Sequence, residues 1–304
     1  GFGETALHMA ADADIAKLLI ERGLDVDTRN RIQYTPLHSA AGRGAIEVIK
    51  VLLAYHADIE ARDSGQETPL HHAARKGDAG AVKLLLTHKA NPYAESRISY
   101  TPLHTAANWN AIEVVRLFLA HDVPVDIKGE NNIAGTPIHS AAREGHRAIA
   151  ELLVKYGADV YARDRDYTTA LHKAAQGGHI ATVQFLLEQG VPIDIKGKNG
   201  KTPLHYAAAR YWDPAVIKFF LDQGVPVDIK DHERRTPLHY AAQSNLEVTQ
   251  FLVEQGADVH AKDIAGKTPR MLTEEFIRVM SSGGRLSDNA YDAVKYLRLC
   301  ENSK

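Results

Sequence analysis

The sequence predicts an all-α solenoid, made of helix-turn-helix units joined by β-hairpin-like fingers. A Thr-[Pro/Ala]-[Leu/Ile]-His tetrad begins at Thr5, Thr35, Thr68, Thr101, Thr136, Thr169, Thr202 and Thr236, with steps of 30, 33, 33, 35, 33, 33 and 34 residues. The columns after each tetrad recur in fixed order. An Ala pair such as Ala40-Ala41, Ala73-Ala74 or Ala174-Ala175 comes first, and an apolar triplet such as Val51-Leu52-Leu53, Leu84-Leu85-Leu86 or Phe185-Leu186-Leu187 follows. A segment like Gly157-Ala158-Asp159-Val160 closes the unit. A fixed period near 33 means that each unit buries its apolar face only against its neighbours.

Each column has a physical role. Thr caps the first helix, and Pro suits its first turn, where no backbone donor is needed. Leu and the two Ala share one helical face, and the small Ala side chains allow close approach of the next unit. Gly77-Asp78 and Gly177-Gly178 break the chain after the Ala pair. The second helix carries Ile46, Ile49 and Leu53 in the second copy and Ile180, Val183 and Leu187 in the sixth, all at helical spacing. Gly157, Gly190, Gly224 and Gly256 stand where that helix ends, the place for a left-handed residue. Stretches such as Asp263-Ile264-Ala265-Gly266-Lys267-Thr268 read as hairpin turns.

The period and the Thr-Pro-Leu-His-x-Ala-Ala pattern resemble the ankyrin-repeat family over nearly all of the chain. The resemblance implies L-shaped repeats stacked into one curved, elongated domain, with fingers and first helices lining a concave side. Residues 1–267 are expected to hold eight repeats. Residues 268–304, whose tetrad has become Thr268-Pro269-Arg270-Met271, are expected to form a divergent C-terminal capping repeat. That repeat has a lengthened first helix, a loop at Ser281-Ser282-Gly283-Gly284, and a polar outer face carrying Arg278, Arg285, Glu301 and Lys304. Gly1-Phe2-Gly3-Glu4 reads as the tail of a finger, so the chain is expected to be cut from a longer protein. Three irregularities stand out: a shortened first copy at Asp12-Ala13-Asp14, two extra residues within 130–135, and one extra residue within 209–214.

Composition narrows the function classes. The 36 basic and 38 acidic residues give a net charge of −2, which argues against general nucleic-acid binding. The single cysteine, Cys300, rules out an internal disulfide framework and points to a reducing, cytoplasmic setting, or the host-cell cytoplasm for an effector. No apolar run of about 18 residues is present to span a membrane.

No catalytic constellation emerges. HExxH, GxxxxGK[ST] and GxSxG are all absent. Half of the 16 histidines are tetrad residues: His8, His38, His71, His104, His139, His172, His205 and His239. Successive tetrads should lie roughly 8–10 Å apart, too far for shared zinc ligation, so they read as hydrogen-bonding struts. Adjacent His71 and His72 face different ways on one helix. No metal, cofactor or catalytic residue is therefore expected. Family asparagines at the finger base are known hydroxylation targets, but the matching positions here, Asp27, Glu60, Tyr93, Asp126, Tyr161, Asp194, Asp228 and His260, include no Asn.

The resemblance places specificity at finger tips and just after the Ala pair. The candidate partner-binding residues there are Arg31, Tyr34, Arg43, Glu67, Arg75, Arg97, Tyr100, Asn108, Trp109, Arg143, Glu144, Arg165, Tyr211 and Trp212. Trp, Tyr and Arg dominate binding hot spots. The expected function is a non-catalytic scaffold, monomeric by itself, that holds another protein on the concave face. Two alternatives stay open: a recruiting arm of a larger protein, such as a host-directed bacterial effector or toxin, and a nucleotide- or small-ligand-binding groove.

Overall fold

The computed structural model describes residues 3–210, 214–280 and 288–302. Tyr211 and Trp212, the 281–284 loop, Arg285, Lys304, and Gly1 and Phe2 lie outside them. Seventeen α-helices and no strand occur among the described residues. In chain order they are α1 (Ala13–Glu21), α2 (Pro36–Arg43), α3 (Ile46–Ala54), α4 (Pro69–Lys76), α5 (Ala79–Thr87) and α6 (Pro102–Asn108). Next come α7 (Ile112–Ala120), α8 (Pro137–Arg143), α9 (Arg147–Lys155), α10 (Ala170–Gly177), α11 (Ile180–Glu188) and α12 (Pro203–Ala208). The chain ends with α13 (Ala215–Asp222), α14 (Pro237–Ala241), α15 (Leu246–Glu254), α16 (Pro269–Met280) and α17 (Asp288–Asn302). The helices group into two compact units. The first runs to Ala141 and includes Ala148–Arg165; the second holds Ala142–Arg147 and continues from Asp166.

The tetrad starts each first helix through a capping box in which His takes the place usually held by Glu. In α2 the Thr35 hydroxyl accepts the His38 N–H, and the imidazole Nδ1 accepts the Thr35 N–H at 3.1 Å. The same box opens α4, α6, α10, α12 and α14. The first copy departs from the pattern. Ala6–Met9 form only a turn, because Asp12 already caps α1 by accepting the Ile15 N–H at 2.9 Å. Three missing residues leave no room for a helix.

From the second copy on the Ala pairs are buried, and the second helices present a stripe slightly rotated from the one expected. In α3 the buried residues are Val48, Ile49 and Leu52, and in α11 Thr182, Val183, Phe185 and Leu186. Ile46, Leu53, Ile180 and Leu187 are half-buried on the flank. The middle residue of each triplet, such as Leu52, Leu85 or Leu186, faces the core.

Fingers close through short backbone turns. Asp63 N–H donates to Glu67 O at 3.1 Å, and the Asp63 carboxylate accepts the Gly65 and Glu67 N–H groups. Asp231 and Asp263 repeat this arrangement. Successive fingers are linked by single backbone bonds: Ser64 N–H to Ile32 O and Arg97 N–H to Gly65 O in the first unit, His232 N–H to Asn199 O in the second.

After the second helices, Gly157, Gly190, Gly224 and Gly256 hold φ between 84° and 90°. The equivalent residues His56, Lys89 and Asp122 adopt φ of 64°, 70° and 57° without that freedom. A left-handed conformation costs an ordinary residue roughly 1–2 kcal/mol, partly offset by the unfolded-state entropy that glycine adds. Lys89→Gly is therefore expected to stabilise the protein by about 0.5–1 kcal/mol, read as a higher urea midpoint.

Candidate partner-binding surface

The tetrad histidines are engaged. His38 Nε2 donates to Glu67 O, His71 Nε2 to Tyr100 O and His104 Nε2 to Gly135 O, at 3.0–3.2 Å. His205 and His239 make the same bond to Arg235 O and Lys267 O in the second unit. Each imidazole thus pins its own helix start to the finger leading into the next copy. Burial drives the His38, His71 and His104 pKa values down to about 4, so these struts are neutral.

Three candidate residues of the first unit, Glu67, Arg75 and Trp109, converge. The Arg75 guanidinium lies 5.6 Å from the centroid of the Trp109 ring, a cation–π contact one period apart in sequence. Glu67 accepts from Arg75 Nη2 at 2.5 Å and holds the guanidinium. Trp109 caps α6 through its backbone and leaves 56% of its surface exposed. Tyr100 stacks on the His104 strut, ring centroids 5.6 Å apart, and Ile98 at the same finger tip is 56% exposed. Asn108, just before Trp109, is half-buried.

Other candidates are held mainly by the fold. Tyr34 is half-buried, stacked on His38 at 5.5 Å and edge-on to His72 at 4.8 Å. Burial, then the nearby Asp63 carboxylate, raise its phenol pKa. Arg43 donates to the carbonyls of His8 and Ala10, closing the shortened first copy. Arg31, Arg97 and Arg165 are exposed on fingers. Arg97 and Arg165 also bond the preceding finger through their backbones, to Gly65 O and Asn132 O.

One buried group escaped the sequence reading. His72 does face away from His71, but it turns toward His38 of the preceding copy, ring centroids 5.4 Å apart. His72 Nε2 lies 2.9 Å from Asp63 Oδ2 and 3.6 Å from Glu67 Oε2. Comparing tetrad with tetrad could not reveal this, because His72 occupies the next column and Asp63 comes from the finger. The Asp231–Tyr240 pair, with the same spacing of nine residues and a hydroxyl–carboxylate bond of 2.5 Å, is the sequence signal that could have found it.

A family model described as ankyrin repeats (3 copies) matches residues 1–63, 61–131, 138–231 and 171–263. The chain belongs to the ankyrin-repeat family. A solved structure, the human ASB11 ankyrin repeat domain, is similar to it at 25% identity and a TM-score of 0.62, covering 74% of this chain and 99% of that one. No curated protein sequence matches it significantly. Ankyrin repeats are generally non-enzymatic protein–protein interaction modules, and no described helix of this ankyrin chain is long and apolar enough to cross a membrane. In its second unit, Arg143 and Glu144 line a pocket of about 230 Å³ with Gln176, His179 and Arg210. His179 Nε2 donates to Arg143 O at 2.9 Å and fixes that loop.

Proposed function

We propose that this ankyrin protein is a non-catalytic scaffold that holds a partner protein on the surface built by Glu67, Arg75, Tyr100 and Trp109. The observation behind this reading is the exposed Trp109 indole, oriented by a guanidinium that Glu67 already holds. Ordering these side chains before contact removes part of the entropy cost of binding. The same ion pair argues against a nucleotide groove, since a phosphate would have to displace Glu67 from Arg75. The arginine-lined pocket of the second unit is a separate candidate contact. The helix pair α16–α17, beyond the last family-model match, serves as a divergent cap, and the lone thiol of Cys300 suits a reducing cytoplasm.

Partners captured from cell extract by the wild-type chain and then purified provide the test. Combining Tyr100→Ala with Trp109→Ala should weaken their binding by more than about 2 kcal/mol, roughly 30-fold, while circular dichroism stays unchanged. Equal affinity for wild type and the double variant would remove this surface from the proposal.

A further inference from the structure

The geometry points to a zinc site at the junction of the second and third copies, formed by His38, His72 and Asp63 with Glu67 as fourth ligand. One ligand atom from each of His38, Asp63 and His72 lies within 4.8 Å of the others, and all three residues are buried. Glu67 Oε2 stands 3.6 Å from His72 Nε2. Two imidazoles and two carboxylates are a donor set suited to a late divalent transition ion, and the two carboxylates offset its charge. Tetrahedral zinc needs ligand atoms about 3.3 Å apart, so the three buried ligands close inward by an ångström or so and Glu67, outside that trio, swings in to join them.

Binding has a definable structural cost. His38 takes part through Nε2, giving up its bond to Glu67 O at 3.1 Å. Its Nδ1 must then carry the proton and donate to Thr35 Oγ1, already 2.9 Å away, so Thr35 N–H loses its acceptor. Glu67 must also loosen its hold on Arg75. Micromolar rather than nanomolar affinity follows. No other copy offers this set, because the column of His72 is Met9, Ser39, Thr105, Ser140, Lys173, Tyr206 and Tyr240 elsewhere.

The experiment titrates the whole chain with zinc chloride in a calorimeter and with cobalt(II) in a spectrophotometer. One zinc per chain is expected, with an intense tetrahedral cobalt spectrum. His72→Tyr is the decisive variant: it copies the Tyr240–Asp231 pair and so preserves the carboxylate's hydrogen bond while removing the ligand. It should weaken zinc at least tenfold and abolish the cobalt signal, whereas His121→Ala, an exposed histidine of the first unit, should leave both unchanged. Absence of a stoichiometric site in the wild type, or equal zinc binding by His72→Tyr, overturns the assignment.

Discussion

Lowering the pH from 7.5 to 5.0 is expected to remove about 6 kcal/mol of stability from the copies that hold His38, His71 and His104. Their folded pKa values are depressed to about 4 by burial, against an ordinary 6.5. Between those values the unfolded chain binds protons that the folded chain refuses. The stability is therefore fully present above pH 6.5 and drains away as the pH falls toward 4. At pH 5 each histidine forfeits about 2 kcal/mol. The chemical reason is specific: Nδ1 must stay bare to accept the Thr N–H of the capping box, and protonation sets two donors against each other. His205 and His239 shift in the same direction through burial and add to the loss in the second unit. Asp27, Asp126 and Asp228, raised by burial, act in the opposite sense around the ordinary carboxylate range. Urea midpoints at the two pH values, with hydrogen exchange to localise the loss over α2 to α7, provide the measurement. Identical midpoints would show that the struts are not held neutral by the fold.

Most of this architecture was legible because each copy repeats the same packing problem. Thr, Pro, Leu, His and the Ala pair are fixed by contacts that recur every 33 residues or so, and the helices, caps and left-handed turns follow from them. The period also foretells contacts between copies: Arg75 and Trp109, 34 residues apart, meet because each stands just beyond its Ala pair. Deviations were less legible. The first copy keeps its tetrad but not its helix, since helix formation needs length that a matching motif does not guarantee. The cluster of His72, Asp63 and Glu67 depends on a finger folding back over the preceding strut, a within-copy offset that column matching does not register. Surface roles were hardest. Tyr34 and Tyr100 both precede a tetrad, both are half-buried and both stack on its histidine, yet His72 stands edge-on beside the first.

Phe118→Ala and Trp109→Ala are expected to behave oppositely, although nine residues separate them. Phe118 lies in α7 with no exposed surface. Its truncation leaves a cavity in a structure whose copies are stabilised only by their neighbours, at a cost of about 3–5 kcal/mol. Because stability in a stack is a sum of local and interface terms, the loss should also split the unfolding transition, with α6 and α7 exchanging amide protons before the helices on either side. Trp109 exposes more than half its surface and lies against the Arg75 guanidinium. Removing it forfeits a cation–π contact and the burial of the covered part of its surface, about 2 kcal/mol in all. Urea denaturation of the two single variants checks both values. If Trp109→Ala proved as destabilising as Phe118→Ala, the indole would belong to the core of the stack, and the surface proposed for partner binding would lose its central residue. A small stability cost paired with a large loss of partner affinity is the signature that separates a recognition aromatic from a packing one.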